Sequence, residues 1–189
     1  MYTAIVTLKS ISPLSQSKHY DTPKLNKESS EAYEKRTWQE RLHFTEDGEV
    51  FVPPMALKNA LSEGAKRTNK TVPGKGKSTY TKHFESGVMV MEPMMLGINK
   101  EDVKGEWLFV PSDGIRGSGK RVSKCFPVIP EWKGTAEFII LDETITKEVF
   151  EEILTETGKF TGLGRFRPSK NGYYGRFAIE KIQYNKGDA

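Results

Sequence analysis

The most constraining feature of the 189-residue sequence is its last third, where one strong helix is framed by two strong strands. "GTAEFIILD" (134–142) alternates small or polar residues with apolar ones and predicts a central strand. "TITKEVFEEILTETG" places Ile145, Val149 and Ile153, with Phe150 and Leu154, on one helical face. Thr144 or Thr146 is placed to cap it, Glu148 suits its first turn, and Gly158 is expected to end it. "YGRFAIEKIQY" then closes the chain as a strand. A strand-helix-strand unit of this kind must bury one helix face on one sheet face.

The N-terminal half repeats the order. "YTAIVTLKS" predicts a strand over 2–9 with Tyr2, Ala4, Val6 and Leu8 on one side. "PPMALKNALSEGAK" predicts a helix over 54–67, with proline in its first turn and Ala56, Leu57, Ala60 and Leu61 as its apolar stripe. "FESGVMVMEPMMLGI" reads as a buried, Met-rich strand region and "GEWLFVPS" as another strand. The alternation of "RTWQERLHF" and the Asp-Gly of "TEDGEV" predict a hairpin over 37–52, with Trp38 in the core. "ISPLSQSKHYDTPKLNKESSEAY" (11–33) lacks periodicity and reads as a long loop, whose part 17–36 is a candidate protrusion towards a neighbouring subunit, and "DGIRGSGKRVSKCFPVIP" reads as a basic loop.

Simplified, the order is β-α-β-β-α-β. The expected fold class is therefore α+β: a ferredoxin-like or RRM-like core with an antiparallel sheet, both helices on one face, long inserted loops and a C-terminal glycine-rich loop. One domain over 1–189 is expected, with insertions at about 11–50 and 92–131. The open sheet face is a candidate platform for a single strand of nucleic acid.

Charge distribution says more than the net charge of +4. Gly64–Lys82, Gly114–Pro130 and Gly158–Ile179 contain no acid and carry 6, 4 and 5 Lys/Arg, which is 15 of the 29. The remainder holds 14 bases and all 25 acids, a net of −11. If the three glycine-bearing basic windows converge, they form a polyanion site. If they face different ways, they are solvated loops. The richest is "FTGLGRFRPSKNGYYGRF" (160–177). Its glycines allow backbone N–H groups to approach a phosphate. Arg165, Arg167, Arg176 and Lys170 supply cationic contacts, and Phe166 and Tyr173, with Tyr174, supply stacking surfaces.

Other function classes are excluded on composition. One cysteine, Cys125, permits no intrachain disulfide and no thiolate metal cluster, and reads as reduced. No cofactor or metal is expected: "PGKGKSTYTKH" lacks the spacing of a nucleotide P-loop, and Gly117-Ser118-Gly119 lacks a dinucleotide fingerprint. No apolar run is long enough to span a bilayer and no secretory leader is visible, so a cytoplasmic address is expected, with no membrane partner.

Three stretches, in order, resemble the RAMP superfamily, the ferredoxin-like RNA-binding proteins of CRISPR effector complexes in antiviral defence. "VTLKSISPLSQS" looks like that family's first strand running into a Ser/Pro loop. "VFVPPMALKNALSEGAK" is similar to its turn feeding a helix, with Pro54 and Asn59 where the family commonly has glycine. "GLGRFRPSKNGYYGRF" resembles its glycine-rich loop, with an atypical "RFRP" centre. The resemblance is to a divergent, stand-alone relative of the backbone subunits. It implies single-stranded RNA as partner in preference to DNA, head-to-tail copies of the chain, and other effector subunits.

The resemblance places Lys58 beside a strand phosphate at a helix N-terminus. The remaining candidate contacts are Lys18, Arg36 and Arg41 near the first long loop, Lys75, Lys77 and Lys82 in the first basic window, and Arg116, Lys120 and Arg121, with Lys124, in the second. Tyr33 and Trp38 are further candidates to stack or clamp. Asp21 is the only aspartate in the loop where some backbone subunits hold a cleaving carboxylate, and His19 is the candidate general acid or base of a metal-independent endoribonuclease. A turn-forming Asp21 before Thr-Pro and an exposed His19 are the plainer readings. A single-stranded DNA-binding or annealing protein would share the same basic and aromatic features.

Overall fold

The computed structural model describes residues 1–112, 115, 117 and 119–186. In chain order these form β1 (Tyr2–Ser10), β2 (Leu14–Ser15), α1 (Ser30–Thr37), β3 (Glu49–Val52), α2 (Pro54–Thr68), α3 (Thr81–Gly87) and β4 (Val88–Met89). They continue as β5 (Met94–Asn99), β6 (Lys104–Pro111), β7 (Arg121–Ile129), β8 (Lys133–Ile140), α4 (Lys147–Glu156) and β9 (Phe177–Lys186). The architecture is α+β, and its sheets are antiparallel.

The main sheet has the order β4-β8-β1-β9. Its register sets Ala4 opposite Phe138 and Val6 opposite Ala136, so the alternation of β1 and β8 delivers small and large apolar side chains to the same face. On that face Ala4, Val6, Leu8, Phe138 and Ile140 are fully buried. They share one apolar cluster with Leu57, Ala60, Leu61 and Ala65 of α2 and Val149, Phe150, Ile153 and Leu154 of α4. Phe138 and Phe150 meet edge-on, with ring centroids 5.4 Å apart. Thr146 caps α4 by accepting from the Val149 amide at 3.3 Å.

The other face of this sheet carries Thr3, Ile5, Thr7 and Lys9 beside Thr135, Glu137 and Ile139, and Lys181, Gln183 and Asn185 on β9. No aromatic ring stands there among the described residues. The expected stacking platform is therefore missing: the rings of β1 and β9, Tyr2 and Tyr184, pair with one another instead, 5.8 Å apart.

Four further expectations change. Residues 37–44 are not a strand. α1, capped by the Ser29 hydroxyl, runs into a 3₁₀ turn over Trp38–Arg41, and only Phe44 bridges Val50. The alternation of 37–44 does not show what holds this turn: buried Thr37 bonds Tyr33 O, and buried Arg41 reaches Glu34 and the distant Cys125 carbonyl. Residues 84–87, at the head of the Met-rich stretch, finish a helix, α3, before the strand begins. The supposed loop over 113–130 contains a nine-residue strand, β7, paired with β6; Arg121 and Lys124 fall on opposite faces of it and break the apolar alternation. Gly158 does not end α4. The chain passes through a π turn, Thr157–Thr161, and stops at Gly162, whose φ is +70. Gly158 is required for another reason: a Cβ there would collide with the carbonyl of Phe177.

The two insertions meet. β2, from the first, pairs with β7, from the second, at Leu14–Ile129 and Ser15–Val128, giving a three-stranded sheet β2-β7-β6. β2 is two residues long, so on that edge β7 has no strand neighbour N-terminal to Val128. Side chains replace the missing strand. Glu34 accepts from the Cys125 amide at 2.8 Å, Arg41 donates to the Cys125 carbonyl at 3.2 Å, and the two side chains form a 2.8 Å ion pair. Buried backbone groups must find partners, and this pair supplies them.

Candidate nucleic-acid interface

The insertions and the glycine-rich loop enclose a cleft of about 1250 Å³. One wall is Ser17–Tyr20 and α1, the second is the β6–β7 hairpin, and the third is residues 165–171. Seven basic side chains line it: Lys18, His19, Arg41, Arg121, Lys124, Arg165 and Lys170. Among the described residues the only carboxylate in the lining is Glu34, which Arg41 already engages. Glu106, behind Phe126 on the paired strand, is held by the Tyr174 hydroxyl at 2.8 Å. Burial, then that bond, pushes the Tyr174 phenol up.

Rings and guanidiniums alternate along the cleft. Arg41 lies 5.2 Å from the Tyr20 ring and 5.0 Å from Phe126. Arg165 lies 3.3 Å from the Phe126 centroid and 3.8 Å from that of Phe166, so its planar group is packed against both. Burial pulls Arg165 down to about 10, and its Nη1 is shielded without a hydrogen-bond partner. Arg165 still carries its charge at neutral pH, and among the described residues no carboxylate forms an ion pair with it.

The loop around Arg165 is tied on three sides. Arg165 N donates to Ser15 O at 2.7 Å, Gly175 N to Pro13 O at 2.7 Å and Leu163 N to Gly175 O at 3.0 Å. Arg167 reaches Glu63 of α2 at 3.3 Å. Gly175 has φ +77, and a Cβ there would strike the Leu163 carbonyl; a Cβ on Gly172 would strike that of Phe166. These glycines let the loop cross itself. The N–H groups of Gly162, Gly172 and Gly175 are donated to protein carbonyls. Three of the four glycine amides expected to cradle a phosphate are therefore taken up by the protein itself.

Other predicted site residues fall elsewhere. Arg36 is bound twice to Glu28 at 2.8 Å and once to Pro23 O at 3.1 Å, a staple of the first loop. The Arg36 bond holds the Glu28 carboxyl down to about 2. Lys58 donates to Ser62 and to the Glu85 carbonyl, joining α2 to α3. Arg176 is spent on Lys159 O and Tyr173 O. Arg167 also bonds Ser169. Lys75, Lys77 and Lys82 are exposed but outside the cleft lining, as are Lys120 and Tyr173. Arg116 lies outside the described residues.

Two basic windows thus meet and the first does not. Its Arg67 instead stacks 5.0 Å over Phe160, and its Lys70 pairs with Glu152 at 2.7 Å. Asp21 is exposed and outside the lining. His19 lines the cleft, with no side-chain bond orienting it among the described residues. The histidine that does meet a carboxylate is His83, 2.6 Å from Asp142, far along the chain from the cleft. Phe126 and Tyr20 are not apparent as site residues in the sequence; a lysine two positions earlier, in "KCF" and "KHY", is the signal that marks each.

No family model matches the sequence, and no curated protein matches it. Solved structures do. A chain of a Type III-B Cmr-beta complex bound to cognate target RNA matches 98% of this chain at TM-score 0.53 and 12% identity. This chain spans 61% of that chain's length. Cmr6 from Pyrococcus furiosus matches over 95% of this chain and 99% of its own, at TM-score 0.48 and 14% identity. No described helix is long and apolar enough to cross a membrane.

Proposed function

We propose that this chain is a single-stranded RNA-binding subunit of a ribonucleoprotein and a divergent member of the RAMP superfamily, related to its backbone subunits. The main sheet read as β9-β1-β8-β4, with α2 and α4 between its strands in the chain, supports a ferredoxin-like β-α-β-β-α-β reading of the core. The fold likeness to a chain of an RNA-bound type III-B complex supports the same reading. In this reading 1–189 works as one domain, in the cytoplasm, beside other effector subunits and head-to-tail copies of itself.

The observation that carries the proposal is the composition of the cleft. Its lining offers Lys18, Arg121, Lys124, Arg165 and Lys170 with the rings of Tyr20, Phe126 and Phe166, and its single carboxylate among the described residues is paired internally. Cations in a groove with interleaved rings suit an unpaired strand, whose phosphates and base faces are both within reach. A duplex would keep its base faces stacked on one another, out of reach of these rings.

The test is fluorescence anisotropy with end-labelled RNA and DNA of one sequence across a salt series. RNA should bind with a negative log–log salt slope, and each lost phosphate contact should flatten it by about 0.7. Arg121→Ala and Lys124→Ala are therefore expected to give shallower slopes. Preference for DNA would replace RNA as ligand. Unchanged slopes in both variants, or strand shortening blocked by His19→Ala, would overturn the binding-subunit reading.

A further inference from the structure

We propose that the outward side of Phe166 is a stacking site for a single nucleobase; the inference rests on the proposed strand-binding role of the cleft. Four features converge there. Phe166 is 47% exposed although it lines the cleft, an unusual place for a large ring. Its backbone sits at φ +52, a conformation that phenylalanine rarely adopts and that needs a compensating reason. The loop is fixed in that shape by the Tyr174 N–Phe166 O bond at 3.0 Å and by the crossing at Gly172. Arg165, flat between Phe126 and Phe166, backs the ring from inside.

The consequence is a preformed stack, Phe126–Arg165–Phe166, that ends at solvent. A base laid on Phe166 continues it without moving any protein group. The guanidinium pulls electron density toward the inner side of the ring. Lys170, exposed on the same loop and lining the cleft, pairs loosely with Glu63 at 4.0 Å, a contact that a flanking phosphate would compete for. Stacking accepts every base, so the site sets the register of a strand rather than its sequence.

The experiment compares an intact RNA oligonucleotide with one of the same length made entirely of abasic residues, against the wild-type chain, Phe166→Leu and Phe166→Trp. Wild type should prefer the intact strand. Phe166→Leu should lose about 5- to 150-fold for the intact strand, the range of one aromatic–base stack, and should change little for the abasic one. Phe166→Trp should keep the preference. The salt slopes of all three should coincide, because no phosphate contact is removed. If Phe166→Leu weakens both strands equally, or weakens neither, the stacking site is refuted while the cleft stands. If wild type binds neither strand, the cleft reading itself fails and this inference with it.

Discussion

Removing Glu34 tests how the cleft wall is held. Glu34 and Arg41 are 5% and 6% exposed and 2.8 Å apart. At an effective dielectric of about 20 their gross attraction is about 6 kcal/mol, most of it offset by the cost of desolvating both charges. Glu34→Ala removes the attraction and the cost of burying Glu34, but not the cost of burying Arg41. It strands the Arg41 charge and leaves the Cys125 amide without an acceptor. Loss of one partner from such a pair costs about 3–5 kcal/mol, a large share of the 5–15 kcal/mol that holds a domain together. With a urea slope of about 2 kcal/mol/M, the midpoint should fall by about 1.5–2.5 M. Arg41→Met strands Glu34, but Glu34 keeps its bond from Cys125, so it should cost less. The double change Glu34→Ala/Arg41→Met should cost less than the sum of the singles by about 2–3 kcal/mol. A Glu34→Ala midpoint shift below about 0.5 M, or strict additivity in the cycle, would refute the claim that this pair substitutes for a strand.

Gly172→Ala should destabilise the chain and weaken strand binding together, since its new Cβ collides with the Phe166 carbonyl; thermal melting and anisotropy should move in parallel. Lys77→Ala, outside the cleft, should leave affinity and salt slope unchanged, and a flattened slope would return the first basic window to the binding surface. Burial pushes the Asp142 carboxyl up, but bonds from His83 and the Thr144 amide outweigh it and hold the group below its ordinary value. A depressed carboxyl stabilises above its unfolded pKa and loses that contribution as pH falls through the folded one. His83→Phe should therefore lower stability by about 1–2 kcal/mol at neutral pH, and its deficit should shrink below about pH 4 in urea titrations.

The main sheet and its two helices were legible because their apolar periods are clean: Ala4-Val6-Leu8 alternates, and Ile145, Val149 and Ile153 recur at helical spacing. Residues 30–44 and 113–130 misled for a shared reason. Their folding depends on partners distant in sequence. Arg41 is buried only because Glu34 and Cys125 meet it, and the basic strand β7 exists only because β6 and β2 flank it. Charge clustering found two windows that line the cleft, and also one that does not. A count of lysines contains no information on where a loop points. Likewise Arg36, Arg176 and Lys58 look available in the sequence because nothing local names the carboxylate and carbonyls that occupy them.

The glycine-rich loop is anchored to Pro13, Ser15 and Glu63 before any ligand arrives. The entropy lost on association then falls on the flexible polymer rather than on the protein. Capture should proceed at a rate set by diffusion and long-range attraction, with no slow rearrangement between encounter and seating.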